Sequence, residues 1–212
     1  MAGESSRATV AGPAGQIECV LDEPALAAGA ALRGVVVLCH PHPQFGGTLD
    51  NKVVQTLARA FLQLGYRAVR FNFRGVGAST GSWDAGQGEI ADALAVIQAQ
   101  RDAAPGLPLA LGGFSFGAFV AAQAAARLAA TAPVQRLVLV GPATSRFEMP
   151  AMVAPDTLVI HGEADDVVPL QATLDWARPQ VLPVLVLPGV GHFFHGQLPL
   201  LKRQVLQAWH PA

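Results

Sequence analysis

The chain has 212 residues, with 14 Lys or Arg against 15 Asp or Glu, for a net charge of −1. That balance excludes a protein that binds nucleic acid by neutralising many phosphates. A content of 51% hydrophobic and 14% charged residues excludes an intrinsically disordered chain.

No apolar run approaches the roughly 18 residues of a membrane span, so no membrane partner is expected. Two cysteines, Cys19 and Cys39, lie in apolar, strand-like runs and read as buried thiols rather than a disulfide framework. Residues 1–15 carry no basic segment followed by an apolar one, which is not the pattern of a secretory signal. A cytoplasmic protein is the expectation. The Gly, Ser, Ala and Pro of residues 1–15 suggest a flexible start, with a single domain over 16–212.

In chain order, a weak strand is expected over 16–21. Short β-branched or aromatic runs follow at 35–39 (VVVLC), 68–73 (AVRFNF), 109–112, 136–140 (RLVLV), 157–161 (TLVIH) and 183–187 (PVLVL). Continuously apolar runs of this length, bounded by Gly or Pro, read as strands buried on both faces. Helical spacing lies between them. Over 51–64 it puts Val54, Leu57, Ala58, Phe61 and Leu62 on one face; further helices are expected over 90–100, 116–130, 170–177 and 198–209. The alternation predicts an α/β fold of three layers, α/β/α: a doubly wound, mostly parallel sheet of about seven strands with no cap domain. Ligands of such sheets bind beyond the carboxyl ends of the strands.

Directly after the 109–112 run stands Gly113-Phe114-Ser115-Phe116-Gly117, a G-x-S-x-G that opens a helix at once. A tight strand-to-helix turn holds a serine hydroxyl clear of the backbone, and small residues two positions either side avoid collision. A second match, Gly77-Ala78-Ser79-Thr80-Gly81, lies six residues beyond its strand, in a run (75–88) too rich in Gly to begin a helix. Ser115 is therefore the candidate nucleophile. That Gly-rich run also lacks the helix that a dinucleotide-binding turn requires directly after it, and no cofactor is expected.

A serine needs a general base. His192 follows the 183–187 strand in Pro188-Gly189-Val190-Gly191-His192, ahead of His195; His210 near the end reads as a surface residue. The base needs an acid partner. Asp165 is preferred to its neighbour Asp166, which is assigned to capping the helix that Pro169 introduces. The order Ser115, Asp165, His192 is that of α/β-hydrolases. The oxyanion donors are expected to be the backbone N–H of Phe116 and, from the loop after 35–39, that of His42, with Gln44 or Phe45 in reserve, because Pro41 and Pro43 have no N–H. A rival reading takes His40 and His42, with His161, His192 and Asp165, as metal ligands. The chain is too short for the eight-stranded barrel that such a pair suggests, and no metal is assigned.

Over nearly the whole chain after residue 15, these stretches resemble the α/β-hydrolase superfamily. The closer resemblance is to small serine hydrolases related to dienelactone hydrolases and prolyl-oligopeptidase-like esterases. It is carried by HPHPQFGGTLDNKVV (40–54), RFNFRGVGASTGSWDAGQG (70–88), GFSFG (113–117), HGEADDVVP (161–169) and GHFFHG (191–196). The resemblance implies a Ser115–Asp165–His192 triad and ester hydrolysis. Dienelactone hydrolases proper carry a cysteine where this chain has Ser115. Only residues 141–156 are available where many α/β-hydrolases insert a lid, so an open site for small soluble esters is expected. Phe114 and Phe193, with Phe116 and Phe194, flank the triad as candidate pocket residues, at least two of them as core. The same triad serves thioesterases, amidases, peptidases and perhydrolases, and a silent binding module is the non-enzymatic rival. The expected form is a monomer or homodimer acting on a small-molecule ester.

Overall fold

Each β-branched run forms a strand because its side chains suit a pleated surface with apolar cover on both sides. A computed structural model of the protein describes residues 3–209; the expectation for His210, and the first two residues of the flexible start, lie outside them. The strands are β1 (Ser5–Gly12), β2 (Gly15–Asp22), β3 (Gly34–Cys39), β4 (Tyr66–Phe71), β5 (Leu109–Phe114), β6 (Leu137–Val140), β7 (Leu158–Gly162) and β8 (Val184–Leu187). They form one sheet in the order β1-β2-β4-β3-β5-β6-β7-β8. Pairing is parallel from β4 through β8 and antiparallel at β1–β2 and β2–β4.

The helices are α1 (Lys52–Gln63), α2 (Gln87–Ala103), α3 (Phe116–Leu128), α4 (Leu170–Ala177) and α5 (Leu198–Ala208). Alternation along β3 shows why two helical layers are needed. Val36 and Leu38 join the core under α1 and α5, with Val54, Leu57, Phe61, Leu201 and Val205. Val35, Val37 and Cys39 join the opposite core under α2 and α3, with Ile90, Val96, Ala118 and Val120. The resulting architecture is the expected three-layer α/β/α sandwich, with eight strands rather than about seven.

Three expectations are corrected. Residues 5–12 are not a flexible start: β1 pairs with β2 in unbroken register from Ser5–Asp22 to Gly12–Gly15. The strand is mostly exposed; backbone pairing at the sheet edge, with Ala8 and Val10 against the core under α2, holds it, and no hydrophobic run announces it. The Thr80 hydroxyl donates to the Ala14 carbonyl at 2.7 Å, which ties the hairpin turn to the loop after β4. Second, the Gly-rich run 75–88 does open a helix at its end. The Glu89 carboxylate reaches back to accept from the Asp84 and Gly86 N–H groups at 3.0 and 2.8 Å, satisfying donors that would otherwise be orphaned, and α2 begins at Gln87. Third, Asp166 is exposed and does not cap α4, whose N-cap is Pro169 without a side-chain bond.

The topology sets the site. From β3 the chain crosses through α1 to β4 on one side; from β5 it crosses through α3 to β6 on the other. The connections leave adjacent strands on opposite faces of the sheet, which opens a crevice beyond their carboxyl ends.

Candidate active site

Ser115 occupies the turn between β5 and α3 with φ +56° and ψ −117°, a strained conformation for a residue with a side chain. The strain is held from both ends. Its N–H donates to the Val140 carbonyl at 2.9 Å, while its own carbonyl accepts from Ala118 and Ala143 at 3.0 and 3.3 Å. The flanking glycines are required by space. A Cβ at Gly113 would stand 2.2 Å from the Gly117 carbonyl oxygen, and one at Gly117 would stand 2.2 Å from that of Cys39. The turn therefore packs α3 directly on the sheet and leaves the Ser115 hydroxyl in the crevice.

His192 arrives from the loop after β8. The Phe114 ring packs 4.9 Å from its imidazole and the Phe193 ring meets it edge-on at 5.1 Å. The loop is tied to the one after β7 by the Gly189 N–H donating to Glu163 Oε2 at 2.9 Å and the Ala164 N–H donating to the Val190 carbonyl at 3.0 Å. The imidazole spans two partners: Nδ1 lies 2.7 Å from Asp165 Oδ2, and Nε2 lies 3.0 Å from Ser115 Oγ. Asp165 accepts only at its oxygens, so Nδ1 is the protonated nitrogen and Nε2 is left to accept from the hydroxyl. The three residues are far apart in the chain and all buried.

Asp165 is held as an anion. Its Oδ1 accepts from the Val167 and Val168 N–H groups at 3.0 and 2.8 Å. Burial pushes its carboxyl upward, but the bonds from His192, Val168 and Val167 outweigh it and leave the group below the ordinary carboxylate value. His161 is a second histidine at this carboxylate, 3.3 Å from Oδ2 through Nε2, and that nitrogen also donates to the Val168 carbonyl at 2.9 Å. Read only as a metal ligand, His161 misses this role; its place at the end of β7, four residues before Asp165, is the signal for it.

His40 is structural. It is buried, with Nδ1 donating to the Pro41 carbonyl at 2.6 Å and Nε2 accepting from the Phe73 N–H at 3.1 Å. His42 lies over the crevice with its ring among Trp83, Phe45 and Phe116, at 4.5, 4.8 and 5.2 Å. Neither its backbone N–H nor that of Phe116 has an acceptor among the described residues. No group of three or more His, Cys, Asp or Glu among those residues is arranged to hold a metal ion. Ser79, the other G-x-S-x-G serine, donates to the Asn72 carbonyl at 2.7 Å and accepts from the Glu18 N–H at 2.9 Å.

A cleft of about 400 Å³ opens over Ser115 and His192, walled by His42, Phe45, Phe116, Arg146, Phe147, Val167 and Phe193. Volume and lining suit a small organic ligand. Phe114 is corrected: it is fully buried under the His192 loop and does not reach the cleft. Phe194 is likewise core, whereas Phe193 stands at the rim, 48% exposed. Arg146 and Phe147 were not anticipated, because the segment between β6 and β7 has no periodicity to read. That segment contains no helix that would cover the cleft.

A family model described as the alpha/beta hydrolase fold matches residues 34–156. An α/β serine hydrolase without lid from Xanthomonas campestris is 38% identical, with a TM-score of 0.89 over 99% of this chain and 96% of that one. An α/β serine hydrolase homologue from Coxiella burnetii is 34% identical, with a TM-score of 0.84 over 97% of each chain. An uncharacterized protein of Rickettsia prowazekii is 42% identical over 93 residues, which are 42% of this chain and 38% of that protein. This chain thus matches well under half the length of that curated relative.

Proposed function

Since the chain belongs to the alpha/beta hydrolase fold family, we propose that it is a serine hydrolase cleaving small soluble carboxylic esters with Ser115, His192 and Asp165. The observation that carries this reading is the continuous path from Asp165 Oδ2 through the imidazole to Ser115 Oγ, at 2.7 and 3.0 Å, on the floor of an open cleft.

In the first step His192 Nε2 takes the Ser115 proton as Oγ bonds to the ester carbonyl carbon. The carbonyl oxygen gains the negative charge, and the unpaired backbone N–H groups of Phe116 and His42 are the donors assigned to it. Collapse of the tetrahedral intermediate breaks the carbon–oxygen bond to the alcohol, which leaves with the proton held by His192. Water then gives a proton to the same nitrogen as its oxygen attacks the acyl-enzyme. Release of the carboxylic acid returns the proton to Ser115. Asp165 keeps Nδ1 protonated throughout and stabilises the imidazolium.

Short acyl groups are favoured because the cleft is small and no helix among the described residues of the 141–156 segment covers it. A fluorophosphonate probe, with p-nitrophenyl butyrate turnover measured in parallel, tests the reading. Ser115 is expected to carry the adduct, and Ser115→Ala to lose both labelling and turnover at unchanged melting temperature. Normal turnover by Ser115→Ala would overturn it.

A further inference from the structure

The walls of the cleft are mainly apolar and aromatic, yet they include one permanently charged side chain, Arg146, and no Asp or Glu. Arg70 is paired with Asp22, Arg74 with Asp92 and Arg178 with Asp175. Arg146 is exposed at the cleft and, like Arg33, Arg59, Arg101, Arg127 and Arg203, has no carboxylate partner among the described residues; what sets it apart from those is its place in the cleft wall. Its backbone is fixed beside Phe147 by an N–H bond to the Ala143 carbonyl at 3.1 Å. Burial, and then the charge of Arg146 itself, hold the His42 imidazole below its ordinary value, so His42 adds no charge to the cleft at neutral pH. A guanidinium is a planar fork of donors that matches a carboxylate. Next to apolar walls, with no internal counter-ion, it favours an anion supplied from outside.

We propose that Arg146 binds a carboxylate carried by the substrate, so that the preferred esters combine a short apolar body with one negative charge. This rests on the reading of Ser115 as an ester-cleaving nucleophile. The charge selects at the binding step. It acts on any ester whose carboxylate lies beside Arg146 while its carbonyl lies over Ser115.

The test compares three esters: neutral p-nitrophenyl butyrate, p-nitrophenyl hemiglutarate with the anion on the acyl side, and 4-carboxyphenyl butyrate with the anion on the alcohol side. Each is hydrolysed by the wild type, Arg146→Gln and Arg146→Lys. For at least one charged ester, Arg146→Gln is expected to raise KM by about tenfold or more, with the neutral ester changed less than about twofold. Arg146→Lys keeps part of the preference, and added salt narrows it in the wild type. Which charged ester responds tells the side of the scissile bond that Arg146 faces. Equal changes for all three esters, or none for either charged one, would overturn the proposal while leaving the esterase reading intact. Cleavage of none by the wild type, with Ser115 unlabelled by fluorophosphonate, would overturn both.

Discussion

His161 Nε2 lies 3.3 Å from Asp165 Oδ2, the same oxygen that His192 Nδ1 reaches at 2.7 Å. Two imidazoles thus converge on one buried carboxylate oxygen, while its twin takes two backbone N–H groups. His161 touches neither Ser115 nor the cleft, so it acts as a positioning residue. His161→Phe removes the imidazole lying against Asp165 and its bond to the Val168 carbonyl, and is expected to lower kcat for p-nitrophenyl butyrate by about tenfold, with KM little changed. His161→Gln, which restores an N–H donor, recovers much of it. Unchanged kcat in a folded His161→Phe variant would remove this role.

The adjacent acids separate cleanly. Asp165 is buried against His192, whereas Asp166 is exposed. Asp165→Asn replaces an acceptor of the Nδ1 proton with an amide and disturbs the tautomer, so kcat is expected to fall by about three to four orders of magnitude. Asp166→Asn is expected to stay within about twofold. Steady-state kinetics on the purified variants decides it, and a reversed order would move the acid to position 166.

The turn around Ser115 admits no added methyl group. Gly117→Ala places a Cβ 2.2 Å from the Cys39 carbonyl oxygen, on backbone that cannot rotate away. The expected cost is about 1–3 kcal/mol of stability, with a loss of turnover larger than that destabilisation explains, because α3 carries the Phe116 N–H with it. Thermal unfolding and kinetics together provide the check. An active Gly117→Ala of normal melting temperature contradicts the packing.

Acid is expected to weaken the fold in two stages. Burial lowers His40 to about 4, against its bond to Pro41, and lowers His161 as well, against its bond to Val168 and the negative charge of Asp165. An unfolded histidine titrates near about 6.5. As pH falls from about 6.5 toward 4, the unfolded chain therefore binds protons that the folded one refuses, and stability declines. His40 alone accounts for a loss on the order of 3 kcal/mol. Asp165 has the opposite sign of charge. Its lowered carboxyl contributes stability above the unfolded value near about 4, and that is lost only below it. Urea midpoints measured across this range should show the first decline in the wild type and a flatter one in His40→Gln. The same slope in both would contradict the assignment.

Much of the sheet was legible because both faces of β3 through β7 are covered, so most residues along these strands are apolar, Arg67 and Arg70 of β4 and His161 of β7 aside, and such runs stand out. The weak strand expected over 16–21 is β2, but β1 was not legible, since a mostly exposed edge strand is held chiefly by paired backbone groups and gives no apolar run. The G-x-S-x-G was legible for a local reason: its glycines answer collisions within five residues and with β3 behind them. Asp166 was misassigned as a cap because a pair of adjacent acids before a proline satisfies the local rule equally well with either geometry. Phe114 was assigned to the pocket by its distance in sequence from Ser115, but alternation along β5 turns its ring to the opposite side of the sheet.

What the chain determined by itself was local: strand and helix identity from periodicity, the tight turn at Ser115 from its glycines, and a candidate for each chemical role from its place at a strand end. Tertiary structure alone decided which acid meets His192, that His161 shares the carboxylate, and that Arg146 stands in the cleft. These arrangements involve the end of β7 and the loops after β6, β7 and β8. Loops have no repeating pattern to read, and an exposed arginine or aspartate looks the same in sequence wherever it points. Their positions are set by the sheet that brings the loop ends together, which is a property of the whole fold.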